Sequence, residues 1–308
     1  GDQGAELVKS LDVRLDIDRS RLSYGNEDGG RPVEFALDRF SVALPAGKPL
    51  EGHLRGALLG RPLRADLTGG TLEKVMLDER TPLDFAIQSG SVRAHVSGVL
   101  AAPSETSGPS VAFDLTAQRT SDVARWLGLK AGRSAAVALK GKASMTANDW
   151  KVDDVAFRLG RTSLVAGAAL VHEGPRKVVK GRLEGAEIDV AELQSLLPPS
   201  PPKPARTTPG RPVLQIPILP KGIDMGDADV TVRVKRVTGT PLGARDIAFD
   251  GRIRDGAMQP SSFAATVADV PFRGAVALDL RAEPVSTLWL SASSVDIGEL
   301  LKQLGLAQ

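Results

Sequence analysis

The sequence predicts a mainly β protein built from many short antiparallel strands. Roughly fifteen segments alternate apolar with polar residues, the period-2 pattern of a half-buried strand. The connections between them are short and carry Gly, Pro or Asp, as hairpins do. Segments of helical period are few and short: 70–77, 121–128, 189–197 and 296–304.

The first strand pattern, "LDVRLDID", sets Leu11, Val13, Leu15 and Ile17 on one side and Asp12, Arg14, Asp16 and Asp18 on the other. In "VEFALDRFSVAL", Val33, Phe35 and Leu37 go together. After Asp38–Arg39 the set resumes with Phe40, Val42 and Leu44. "GHLRGALLGRPLRADLTGG" is a hairpin turning at Gly60–Arg61–Pro62, with Leu54 before it and Leu63 and Leu67 after it. Further strands are expected at 83–88, 91–99, 111–117 (with Phe113 and Leu115 on the apolar side), 134–139, 152–158 (Val155 and Phe157), 162–170 and 177–184. The rest are expected at 229–237, 245–253 (Ile247 and Phe249), 262–267, 271–280 (Leu278 and Leu280) and 285–292 (Leu288 and Leu290). In "VTVRVKRV", Val230, Val232 and Val234 alternate with Thr231, Arg233 and Lys235.

One phrase recurs behind strands. "EIDVAELQSLL" (187–197) and "SSVDIGELLKQLGL" (293–306) share an Asp followed three residues later by Glu, at 189/192 and 296/299. An acidic N-cap accepts a first-turn N–H, and the Glu is expected to reach back to the cap's own N–H. Leu193, Leu196 and Leu197, or Leu300, Leu301 and Leu304, then share a helical face before Pro198 or Gly305 ends the helix. "TSDVARWLGL" (120–129) keeps the outline with Arg125 in place of the Glu. Three copies, each behind a strand, point to an internal repeat.

"PPSPPKPARTTPGR" (198–211) cannot join a helix or central strand, because Pro lacks the N–H and fixes φ. It reads as an extended or disordered spacer that divides the 308 residues into sections 1–197 and 212–308.

Composition narrows the function. Aromatic residues are 4%, so Leu, Val, Ile and Ala must fill the interior. The net charge of +2 comes without a run of five like charges, which excludes a nucleic-acid partner. Cys is absent. His53, His95 and His172 are isolated, without a second ligand at metal spacing. No nucleophile elbow, phosphate loop or dinucleotide fingerprint occurs. Asp and Glu sit beside Arg and Lys on strand faces, as solvated cross-strand pairs do. The chain therefore reads as a non-enzyme with no catalytic residue, metal or cofactor. No stretch reaches the roughly 18 apolar residues of a membrane span. The opening "GDQGAELVKS" lacks Met and reads as a piece of a longer precursor from which an N-terminal anchor has been removed. The two-faced strands suit either a closed sandwich or a long single sheet, and the pattern alone does not choose.

Three stretches carry a resemblance: "PLEGHLRGALLGRPLRADLTGGTLEKVM" (49–76), "DWKVDDVAFRLGRTSLVAGAALV" (149–171) and "LPKGIDMGDADVTVRVKRVTGTPLGARDIAFDGRIRDGAM" (219–258). In this order they resemble the AsmA family of bacterial envelope proteins, over most of residues 10–306. The family's N-terminal membrane helix and further C-terminal sequence have no counterpart here. The resemblance implies a periplasmic protein tethered to the inner membrane. It implies a long, curved antiparallel sheet forming an open apolar groove, with short helices at repeat ends. Its activity would be the passage of phospholipid acyl chains between inner and outer membranes. The apolar rows named above, from Leu11 to Leu290, would then line the groove. A smooth aliphatic lining suits a ligand that slides, since each buried CH₂ contributes about 0.8 kcal/mol without fixing a position. The alternative is a scaffold or regulator of outer-membrane protein assembly that contacts other envelope proteins.

Overall fold

The computed structural model describes residues 12–24, 33–58, 60–71, 73–74, 79–102, 107–126, 135–146, 148–194, 227–240, 243–279 and 285–292. Sixteen strands run in chain order: β1 (Val13–Tyr24), β2 (Val33–Leu44), β3 (Pro49–Leu58), β4 (Arg61–Thr71), β5 (Thr81–Ser89), β6 (Val92–Leu100), β7 (Ser107–Ala117) and β8 (Val137–Thr146). Then come β9 (Trp150–Leu159), β10 (Thr162–Glu173), β11 (Arg176–Asp189), β12 (Asp227–Thr238), β13 (Ala244–Arg254), β14 (Ala257–Val267), β15 (Val270–Asp279) and β16 (Val285–Ala292). Helix α1 (Thr120–Trp126) follows β7, and α2 (Val190–Gln194) follows β11. All sixteen strands form one sheet in sequential order, open between β1 and β16. The extensive contacts of each strand are with its sheet neighbours, so the single sheet, not the sandwich, is the architecture among the described residues.

Three expectations need correction. The sheet is not antiparallel throughout, because β11 and β12 pair in parallel, Val179 opposite Ala228 and Leu183 opposite Val232. A parallel step needs a crossover of a dozen residues or more, and the chain between Asp189 and Asp227 supplies it. The helix expected at 70–77 begins later, since Gly70 and Thr71 still belong to β4 and only 73–74 are helical among its described residues. The acidic groups are not all solvated, because Asp122, Asp189 and Asp227 are buried. The spacer 198–211 and the third copy of the phrase lie outside the described residues.

The parallel step has a topological consequence. In an antiparallel meander successive strands end at alternate rims. Strands β7 and β11, which precede the first two copies of the phrase, end at one rim. The parallel step resets the alternation. The pairs Ile188–Val237, Val237–Ala244, Ala244–Val267, Val267–Val270 and Phe272–Ala292 then carry the end of β16 to that same rim. The three copies of the phrase therefore follow strands that all end on one side.

Bulges keep the faces in phase. The β2–β3 register shifts at Asp38, where the sequence pattern skips a beat, so Leu37 pairs with Gly56 and Phe40 with Leu54. Asp154 in β9 and Asp246 in β13 have positive φ at similar shifts. Each extra residue moves the following side chains back to the face the preceding ones occupy and adds local twist.

Candidate functional site

Cross-strand partners point to the same side of a sheet, so the register assigns faces. Val13, Leu15 and Ile17 lie opposite Leu44, Val42 and Phe40. Phe35 and Leu37 lie opposite Leu58 and Gly56, and from Gly56 the line continues to Leu63, then Ser89 and Val92. Val96 leads to Phe113, and Ala94 to Leu115. Leu115 continues through Leu139 to Phe157, and Val155 joins from β9 opposite Ala166. From Leu183 the line passes to Val232, Phe249, Phe263 and Gly274, and reaches Leu290. Val230, Val234 and Ile247 flank it, with Val276 opposite Leu288 and Leu278 opposite Met258. The predicted residues therefore share one face, called front here, wherever their side chains are described. Leu11 and Leu280 lie outside the described residues, and Val33 is placed only by its backbone pairing with Tyr24.

Exposure varies along the front face. Leu37 and Val234 are buried, Phe113, Phe157 and Phe249 are half-buried, and the outer strands are open, with Leu15 49% and Leu288 57% exposed. A small core of Ala228, Ile253 and Met258, packed by Val179, Phe249, Val276 and Leu278, extends from β11 to β15.

The recurrent phrase turns out to be a clamp. Asp189 caps α2, accepting the N–H groups of Ala191 at 3.0 Å and Glu192 at 3.3 Å. Glu192 does not reach back to the Asp189 N–H as a capping box would. It crosses to the β9–β10 turn, accepting the N–H groups of Arg161 and Thr162 and the Thr162 hydroxyl at 2.9 Å. The Thr162 oxygen, fully buried, takes the Asp189 N–H instead, at 3.0 Å. The Arg161 guanidinium completes the lock on Asp189. That bond is the largest cause holding the Asp189 carboxyl below its ordinary pKa. Desolvation pushes Glu192 up, but the donors on Arg161 and Thr162 outweigh it and leave its pKa lowered.

In the first copy Asp122 plays the same part toward two hairpins. The Ser91 hydroxyl of the β5–β6 turn donates to it at 2.6 Å, and Arg61 at the β3–β4 turn at 2.7 Å. Ser91, opposed by desolvation and assisted by Arg61 and Arg119, lowers its pKa to about 2. Arg61 and Arg161 each follow a turn glycine, in "GRPL" and "GRTS", so this half of the clamp was legible as a second repeat that the sequence reading passed over. At the opposite rim Asp227 anchors the start of β12, accepting the Asp255 N–H at 3.0 Å and Arg176 at 2.9 Å.

The back face carries the charges. Arg233 grips Asp250 at 2.7 Å. His53 and His95 pair with Asp66 and Asp84, both at 2.8 Å. No group of three or more His, Cys, Asp or Glu is arranged to hold a metal ion among the described residues. No described helix is long and apolar enough to cross a membrane. Compared with known proteins, the chain matches no family model, no curated protein and no solved structure.

Proposed function

We propose that the front face is a groove that binds phospholipid acyl chains and passes them along its length. In this reading the chain is an AsmA-like component of the bacterial envelope, working in the periplasm from an inner-membrane tether and moving lipid toward the outer membrane. The observation that carries the proposal is the continuity of aliphatic and aromatic residues on one face across sixteen strands, with no second sheet over them among the described residues. A folded protein otherwise covers such a face, because exposed apolar surface of that extent marks a binding site.

Two further features support it. Two front-face glycines sit where a side chain would collide with the next strand. A Cβ at Gly98 would lie 2.7 Å from the Val111 Cα, and one at Gly56 3.2 Å from the Leu37 Cα, each also meeting a carbonyl oxygen. Such close backbone approach on the front side is what a sheet bending into a groove requires. Among the described residues the front face also carries no convergent polar groups that would hold one ligand in one pose, as suits a sliding chain.

The test is site-specific crosslinking. With no native Cys, single-cysteine variants carry a photoreactive probe at Val232 or Arg233, adjacent positions on opposite faces. A probe at 232 crosslinks phospholipid and one at 233 does not, and native mass spectrometry of the gently purified protein recovers bound lipid. Equal labelling at both positions, with no lipid recovered, sinks the proposal.

A further inference from the structure

A row of arginines crosses the back face and no structural need accounts for it. The register sets Arg39 of β2 opposite Arg55 of β3, Arg55 opposite Arg64 of β4, Arg64 opposite Gln88 of β5, and Gln88 opposite Arg93 of β6. Like charges directly opposite one another destabilise a sheet, so a run of Arg, Arg, Arg, Gln, Arg works against the fold. All five side chains are exposed. Internal neutralisation is partial. Arg64 pairs with Asp66 at 2.9 Å, and Arg39 approaches Asp18 at 4.0 Å. Arg55 and Arg93 make no ion pair among the described residues. Asp38, at the bulge, borders the shallow depression between Arg55, Arg64 and Gln88. At the adjoining rim Arg61 and Arg119 share the single carboxylate of Asp122 and add further positive charge. The rows behind are mixed: Ser41, His53, Asp66, Ala86 and His95 form the next, and Ala43, Glu51, Thr68, Asp84 and Ser97 the one beyond. On β2–β6 the concentration of arginine is therefore confined to one line near the helix-bearing rim.

We infer that this row on β2–β6 is a docking surface for an anionic lipid bilayer. Strands spaced about 4.8 Å apart spread it over about 19 Å. That matches a flat array of phosphates better than an enclosed ligand, and no walled pocket surrounds the four guanidinium groups. Arg suits this contact, since its planar fork meets two phosphate oxygens at once and is weakly hydrated. The inference is independent of the acyl-chain reading, because it concerns the other face and headgroup rather than tail chemistry.

The experiment is co-sedimentation of the full chain with vesicles of phosphatidylcholine alone or of phosphatidylcholine mixed with the anionic lipid phosphatidylglycerol. The expected result is binding to the anionic vesicles only, weakened by salt. The double variant Arg55→Gln/Arg93→Gln loses about 30-fold in affinity, from about fivefold for each charge near an anionic surface. The charge-matched control Lys177→Gln/Lys235→Gln on distant strands retains most of the binding. Equal binding to neutral vesicles, equal loss in the control, or full binding by the double variant overturns the inference. Thermal melting supplies a second readout: removing opposed charges leaves the midpoint unchanged or raises it. A lowered midpoint would make the row structural and overturn the inference as well.

Discussion

The Asp122 clamp makes a quantitative prediction about acid. Asp122 is 3% exposed, and its carboxyl is held by Ser91 and Arg61 from two different hairpins. Its pKa falls from 3.8 to about 2 on folding. Because the folded value is the lower one, ionised Asp122 stabilises the fold fully at pH above about 4. That contribution fades as pH falls through the window toward about 2 and is absent below it. At about 1.36 kcal/mol per pKa unit the shift amounts to roughly 2 kcal/mol, an upper figure because water reaches both sides of a single-layer sheet. Asp122→Asn keeps the shape and removes the charge. It should cost about 2 kcal/mol or less at pH 7, measured by urea unfolding, and the gap to the parent should close as both approach pH 2. If the gap is the same at pH 2 and pH 7, the carboxylate's charge is not what holds the turns, and the clamp reasoning fails.

Other expectations follow from burial and close approach. Thr162→Val preserves volume but leaves the Asp189 N–H and Glu192 short of a partner, so unfolding should become easier by about 2 kcal/mol; a neutral result in calorimetry would show that the bonds there contribute nothing. Leu159→Ala, at a fully buried position, should cost about 2–4 kcal/mol, while Leu288→Ala, at an exposed position on edge strand β16, should cost well under 1 kcal/mol; comparable losses would mean that something covers β16. Gly98→Val forces a side chain into the β7 backbone at Ser110 and Val111 and should lower the melting temperature by several degrees, whereas Ser97→Val, facing the back, should not. Val232→Asp should weaken lipid recovery in native mass spectrometry, since a desolvated carboxylate opposes each passing chain; Arg233→Gln should leave recovery intact.

Much of the fold lay in the sequence because strand patterning is local. The alternation in "LDVRLDID" and "VTVRVKRV" fixes two faces per strand without reference to any neighbour, and the skipped beat at Asp38–Arg39 marked the bulge in advance. The predicted front-face residues came together for that reason: period-2 patterning determines sidedness, and register then has to align like with like. Asp189 was also legible as a helix cap, since an Asp ahead of a short helical pattern finds its partners within three residues.

What the sequence left open involves partners far apart in the chain. Periodicity could not separate a sandwich from one open sheet, because both bury or expose the same alternating rows; only the order of the sixteen strands decides that. It missed the parallel pairing of β11 with β12, since local composition carries no mark of a neighbour's direction. It sent Glu192 to the Asp189 N–H, the nearest donor in sequence, whereas the folded turn brings the donors of Arg161 and Thr162 closer in space. The line of arginines had the same cause. Arg39, Arg55, Arg64 and Arg93 stand 9 to 29 residues apart and look like ordinary solvated charges along their strands. They become a row only when hydrogen-bonded register sets one strand beside the next, because a sheet makes neighbours of residues that the chain itself keeps distant.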